Sequence, residues 1–322
     1  MSILLGDGVM SLMEANQRHF YEDNEEFYRQ VITKRQTLDV IPFLPSNRGH
    51  VHEYTQAKKL GTGYWRNANE GYTPSTGKLE TITQNLKLYS GMSKVSEDNV
   101  TLEGIIARTS EDDMIARGIL ESFLNEFINA DGNNPKGIRG LAGFRPKLSE
   151  ENFCLDAKGT ATAKLTSLYL CEFGPTTLNV RYNPAMTGDE YGIGLKSKDR
   201  GLQLVPDKEG KMSWSYVTTY DMTAGVELRD ESALVRIANV DTSGTFPQDL
   251  IVDAINMLPS MGSGAVILAP RPIYAMYTKY ALNKENIAFT VEQIEGLGRV
   301  LYFLGIPILR EDAIKIGEKL TA

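Results

Sequence analysis

Tyr216-Val-Thr-Thr-Tyr-Asp-Met-Thr-Ala-Gly-Val-Glu-Leu-Arg-Asp-Glu-Ser-Ala-Leu-Val-Arg-Ile-Ala-Asn-Val-Asp241 decides how this chain is read. Tyr216, Thr218 and Tyr220 alternate with Val217, Thr219 and Asp221, the period of two that sends successive side chains to opposite faces of a strand. Val226 and Leu228 continue the pattern, a turn follows near Asp230-Glu231, and Leu234-Val-Arg-Ile237 resumes it. β-branched and aromatic residues dominate, as suits a pleated, half-buried surface. The stretch predicts a long antiparallel ribbon.

Downstream, the pattern changes to alternating helix and strand. Phe246 to Leu258 reads as a helix with Pro247 in its first turn, and Ala265-Val-Ile-Leu268 as a short buried strand. Pro270 to Leu282 reads as a second helix, Val291 to Leu297 as a short third, Arg299 to Leu309 as a final buried strand, and Glu311 to Leu320 as a polar tail. Helix and strand in alternation imply an α/β layer. Upstream, Thr166 to Tyr182 holds two strands around Gly174-Pro175, and Gly201 to Val205 is strand-like. The best helix runs from 110 to 131: Ser110 is a plausible N-cap, Glu111, Asp112 and Asp113 place negative charge in the first turn, and Met114-Ile115, Ile119-Leu120, Phe123-Leu124 and Phe127-Ile128 make a broad apolar stripe. Asp131-Gly132 and Pro135 close it, for a spine about 30 Å long.

The amino-terminal third is different in character. Val9, Leu12, Met13, Phe20, Phe27, Val31 and Ile32 recur at helical spacing within a charge-rich stretch ending near residue 36; it either folds onto its own chain or packs on another subunit. Leu38 to Leu44, punctuated by Pro42 and Pro45, suits an edge strand or extended linker. Residues 46–90 are polar and rich in Gly and Tyr, with alternating flanks (Val51 and Tyr54; Leu79, Ile82, Leu86 and Leu88), which reads as a hairpin-like excursion with an irregular tip. Tyr64, Trp65 and Tyr72 near that tip argue against simple disorder, because aromatics favour burial.

With 34 basic and 41 acidic side chains, the net charge of −7 offers no basic footprint for gripping nucleic acid, although it is compatible with merely enclosing it. No apolar run approaches a membrane span, and Gly6, Asp7 and Gly8 interrupt an amino terminus that has no basic region, so no signal peptide or membrane partner is expected. Cys154 and Cys171 fit no metal or redox spacing and read as reduced thiols, at least one of them buried. No phosphate-binding loop, dinucleotide fingerprint or nucleophile elbow occurs. Gly262-Ser-Gly264 precedes a strand and reads as a turn. Ser75-Thr-Gly-Lys78 has nucleophile-like spacing but lies in the excursion, where it also reads as a turn. His50-x-His52 puts two imidazoles on one strand face without a third ligand, and Lys34-Arg35 is a small basic doublet best read as a solvated helix end. No catalytic, cofactor or metal residues are nominated.

The ribbon from Tyr216 to Asp241, together with Thr166-Ser-Leu-Tyr-Leu-Cys-Glu-Phe-Gly-Pro-Thr-Thr-Leu, the Gly137-Ile-Arg-Gly-Leu141 element and Ile267-Leu-Ala-Pro270 before a helix, resembles the major capsid proteins of tailed bacteriophages of the short-tailed type, over about residues 37 to 310. The resemblance implies an α+β chain with the Hong Kong 97-type shell fold: an amino-terminal arm at 1–36, an extended E-loop at 46–85, a peripheral domain from 37–45, 86–136 and 214–243 that holds the spine helix, and an axial domain from 137–213 and 244–322. Here the ribbon precedes the α/β segment, an order similar to a permuted variant of the fold.

The resemblance also implies a function: self-assembly, through pentamers and hexamers, into an icosahedral shell around double-stranded DNA that is enclosed without sequence-specific binding. It implies a separate scaffolding protein, a portal protein, assembly in the host bacterial cytoplasm and a final place in the virion. Some shells of this fold carry a crosslink between Lys and Asn; Lys58, Lys59 and Lys78 lie in the corresponding region, but no residue is assigned to one. Tyr64, Trp65, Arg66 and Tyr72, with Phe20 and Phe27, are the candidate intersubunit contacts, since aromatics and Arg are the composition of interface anchors. The competing readings are an encapsulin-type compartment sharing the fold, an α+β enzyme with an unrecognised pocket, and a decoration or tail protein.

Overall fold

In a computed structural model, the chain is described over residues 36–160, 164–185, 195–206, 210–244, 247–262, 264–282, 288–294 and 298–321. In chain order, α1 (Gln36–Val40) leads to β1 (Phe43–Pro45), β2 (Val51–Lys59), β3 (Lys78–Asn85), β4 (Lys87–Ser96), α2 (Glu97–Glu103), α3 (Ile105–Asn129) and α4 (Leu141–Phe144). There follow β5 (Cys154–Asp156), β6 (Leu165–Glu172), β7 (Leu178–Tyr182), β8 (Leu195–Pro206), β9 (Met212–Leu228) and β10 (Leu234–Asp241). The chain continues with α5 (Gln248–Met257), β11 (Ala265–Ala269), α6 (Arg271–Ala281), β12 (Phe289–Ile294), β13 (Gly298–Phe303) and β14 (Ile306–Arg310). The α+β class is as expected.

The ribbon exists, but its partner is not the one read from the sequence. β9 pairs antiparallel with β8, from Leu195↔Met222 to Pro206↔Met212, and on its other side with β4, while β10 pairs with β6 and β5. A 3₁₀ turn at Glu231–Ala233, held by Asp230 accepting from Ser232 N at 3.0 Å, carries the chain from one sheet to the other. One sheet runs β1-β7-β9-β4 with β8 on β9; the other runs β12-β13-β14-β11-β6-β10-β5; β2 and β3 form a hairpin of their own. Thus β7 and β8, from the 137–213 segment, hydrogen-bond to β9, and β10, from the 214–243 segment, joins the seven-stranded sheet.

Two cores hold these layers. Between the sheets lie Phe123, Leu124, Phe127 and Ile128 of α3, Met222 and Val226 of β9, and Tyr169 and Leu268 of the larger sheet. On that sheet's far side, Leu168, Leu170, Val235 and Ile237 pack on Ile251 of α5 and on Ile273 and Tyr277 of α6. β6 is therefore covered on both faces, which is why its sequence reads as apolar on consecutive residues. Each such buried side chain stabilises the fold by about 1.5–3 kcal/mol.

Several boundaries differ from expectation. The spine α3 begins at Ile105 after Gly104 (φ 80°), so its 25 residues span about 37 Å, and Ser110 lies inside it, donating to Ala107 O at 3.3 Å. The acidic Glu111–Asp113 run imitates a first turn that starts earlier. Gln36–Val40 is helical rather than extended, and Phe43–Pro45 is the edge strand. Residues 291–297 were expected to be helical, but Phe289–Ile294 is a strand paired with β13. The expected single strand at 299–309 is two, β13 and β14, joined by a two-residue turn in which Leu304 (φ 49°) and Gly305 (φ 82°) are both left-handed, the conformation that matches the twist of a tight hairpin. The tail is not merely polar: buried Glu311 accepts from Thr37 Oγ1 at 2.6 Å, and Glu318 accepts from Ser167 Oγ at 2.6 Å and pairs with Arg236 at 3.1 Å. The readings made for residues 9–36, including Phe20, Phe27 and Lys34-Arg35, lie outside the described residues apart from Gln36.

Candidate functional site

The excursion is a paired hairpin with a built root and a built tip. β2 and β3 pair antiparallel from Val51↔Asn85 to Lys59↔Lys78. At the root, Leu86 N donates to His50 O at 2.8 Å. Gln84 Nε2 donates to Val226 O, and Gln56 Nε2 to Arg229 O at 3.3 Å. The centre of the root is Glu227, a fully buried carboxylate on β9. Its Oε2 accepts from Arg181 Nε at 2.6 Å, and its Oε1 lies 3.5 Å from His52 Nε2. His52 Nδ1 accepts from Asn47 N at 3.4 Å, which places the imidazole proton on Nε2, facing the carboxylate. Burial pulls the His52 pKa down, against the opposing pull of Glu227, so the ring stays neutral near pH 7. Burial, with Glu227 and Glu231 nearby, pushes the Tyr54 phenol up to about 12.

At the tip, the side chains organise one another through local hydrogen bonds. The Arg66 guanidinium sits 4.0 Å over the Tyr72 ring, donates to Tyr72 Oη at 2.7 Å and to Glu70 O at 2.8 Å. Tyr64 Oη donates to Gly71 O at 3.2 Å and accepts from Thr73 N. Asn67 binds both oxygens of Glu70, at 2.9 and 2.8 Å, and these hydrogen bonds hold the carboxyl below its usual range. Trp65 is left fully exposed, at 102% relative accessibility. The structure thus brings Tyr64, Arg66 and Tyr72 together and presents Trp65 beside them.

Other sequence candidates lose their chemistry here. Ser75 Oγ accepts from Thr62 N at 2.8 Å as part of the tip turn, not as an activated nucleophile. Among the described residues no group of His, Cys, Asp or Glu could hold a metal ion. Both cysteines are free and buried, and burial raises both thiol pKa values. No helix is long and apolar enough to cross a membrane among the described residues. The root cluster escaped sequence reading. Its signal was Glu227 standing in an otherwise apolar run, Gly225-Val-Glu-Leu228.

A long spine under a long ribbon, a two-faced buried sheet and a hairpin held away from its own core define a shell-subunit fold of the Hong Kong 97 type. Two solved phage capsids share it. The capsid chain of bacteriophage Epsilon15 aligns over 100% of both chains with a TM-score of 0.68 and 23% identity. That of bacteriophage JBD30 aligns over 90% of this chain and 94% of its own with a TM-score of 0.54 and 9% identity. No curated protein matches the sequence. The family model for major capsid protein GP7 matches residues 30–322, and the chain belongs to that family. It is a phage major capsid protein, a subunit that assembles with copies of itself into the shell of the virion.

Proposed function

We propose that this shell encloses the double-stranded DNA of a tailed phage without reading its sequence, and that the hairpin tip is where one subunit grips the next. The observation that carries this reading is Trp65: an indole fully in water, beside an Arg–Tyr cluster already ordered by its own hydrogen bonds. Exposing so large an apolar side chain is unfavourable unless a partner covers it, and pre-ordering the residues around it lowers the entropy lost on binding. Tyr64, Trp65, Arg66 and Tyr72, with Phe20 and Phe27 of the amino-terminal arm, would contact neighbouring copies around pentamers and hexamers. The arm at 1–36, the excursion at 46–85 and the peripheral and axial segments belong to the same reading. So do a separate scaffolding protein, a portal protein, assembly in the host bacterial cytoplasm and the absence of a catalytic task.

The test is Trp65→Ala in the full chain. The subunit should fold with an unchanged unfolding midpoint while the yield of closed particles, counted by electron microscopy, falls sharply. Wild-type particle yield would remove the tip from the interface. Nuclease-protected double-stranded DNA in purified virions, rather than protein cargo, is the expected content.

A further inference from the structure

The two faces of the β4–β9–β8 ribbon carry different, mutually complementary surfaces. The face toward α3 is marked by three contacts. The Arg108 guanidinium lies 5.1 Å from the Tyr216 ring, Thr218 Oγ1 donates to Asp112 Oδ2 at 3.1 Å, and Tyr220 Oη donates to Asp112 O at 3.1 Å. Beyond the start of the helix the same face continues, because Leu202 pairs with Tyr216 and Leu204 with Trp214. Leu204, Met212 and Trp214 are about half exposed or more there. α2 packs on this side through Val100 against Val95, which pairs with Tyr216. Leu102, Ile105 and Ile106 at the α2–α3 junction are also exposed, Ile105 to 72%. The charges of α2 are acidic: Glu97, Asp98 and Glu103, with no basic residue in the helix. Glu103 is partly exposed; its Oε1 is shielded and has no hydrogen-bond partner among the described residues, so a neighbour's cation would meet the carboxylate through its other oxygen.

The outer face differs. Leu88 pairs with Thr223, Met92 and Lys198 with Thr219, and Lys196 with Asp221. Leu88 and Met92 are each more than half exposed. Lys196, Lys198 and Arg200 are exposed, and neither lysine makes an ion pair among the described residues. Asp221, which accepts from Ser90 Oγ at 2.7 Å, is the carboxylate set among them.

We propose that the acidic, apolar helix-side end of one copy's ribbon packs on the basic, apolar outer face of a second copy's ribbon, with Glu103 of one subunit paired to Lys198 of the next. The occupant is a second copy because each surface supplies what the other lacks: carboxylates on one, lysines without an ion pair among the described residues on the other, with exposed apolar side chains on both. Opposite faces of one element cannot meet as the same patch across a twofold axis, so the contact is heterologous and repeats head to tail, which gives a ring where the rotation closes. The proposal rests on the shell reading above and is independent of the hairpin tip.

Glu103→Lys and Lys198→Glu, singly and together in the full chain, test it. Each single reversal should lower particle yield about tenfold or more, since it opposes like charges at a repeated contact, while the subunit keeps its wild-type unfolding midpoint. The double variant should recover most of the loss. Wild-type yield from either single variant overturns the pairing, and so does a double variant that folds but stays unassembled. Leu204→Asp, at an exposed position away from the charge pair, should also block assembly; wild-type yield from it overturns the apolar half of the contact. If Trp65→Ala assembles normally while the reversal and its rescue behave as stated, the tip reading fails and this one stands.

Discussion

Strand β6 and the two strands of the β2–β3 hairpin are similar in length and opposite in fate. From Leu165 to Cys171 every residue of β6 is buried, with Leu168 and Leu170 facing one core and Tyr169 and Cys171 the other. In the hairpin, β3 is mostly exposed, and the segment from Leu60 to Gly77 is exposed throughout. A two-stranded ribbon is marginal by itself in water, so this one is held by its root and ordered by local bonds at its tip. The contrast separates a strand held by packing on both faces from strands held mainly at their root, and substitutions can measure that separation.

The largest effect on folding belongs to the core around the larger sheet. Phe127→Ala, at a site with no exposure on the spine, should destabilise the subunit by about 3–5 kcal/mol, read by denaturant unfolding. A loss below 1 kcal/mol would show that the spine is not the packing centre described here. Next comes the root: Glu227→Gln keeps the shape but removes the charge that Arg181 and His52 face, and should cost about 1.5–3 kcal/mol. Most of that loss should appear as faster hydrogen exchange in β2 and β3; uniform exchange across the molecule would erase the distinction between root and core.

A smaller effect is set by pH. The His52 pKa lies below its unfolded value because burial disfavours the cation, so the unfolded chain binds the proton more readily. The stabilisation from the neutral ring is present above pH 6.5 and is lost as pH falls below it. A proton on Nδ1 also removes the acceptor for Asn47 N. Hairpin amides should therefore exchange faster at pH 5 than at pH 7 relative to those of β6, and His52→Gln should flatten that difference. The smallest effect on folding is that of Trp65→Ala, expected within about 0.5 kcal/mol of wild type, although under the function proposed above its expected effect on assembly is large.

Much of this division was visible in the sequence. The Gly- and Tyr-rich excursion, the stripe from Ile119 to Ile128 and the Ala265–Leu268 strand announce themselves through period and punctuation. What misled was local mimicry. Val291, Ile294 and Leu297 recur at helical spacing, yet Phe289–Ile294 pairs as a strand, because tertiary pairing overrides a short apolar period. Leu304 conceals a left-handed turn residue behind an apolar name, so two strands read as one. Arg236 and Asn239 broke the apolar run of β10 and made it resemble a half-exposed ribbon. The structure buries them by pairing Arg236 with Glu318 and Asn239 with Asp156 and Thr321, partners that lie about eighty residues away in sequence. At the candidate site, the tip aromatics could be named from composition, whereas the root could not, since Glu227, Arg181 and His52 meet only after three strands have found their registers.

Gly91 has a mechanical consequence for the way the spine meets its ribbon. A Cβ there would come within 2.5 Å of Ile119 Cδ1, so the absence of a side chain is what lets the spine nest against the backbone of β4. Seated so closely, the helix and its ribbon interlock, and packing of that density resists sliding of one past the other.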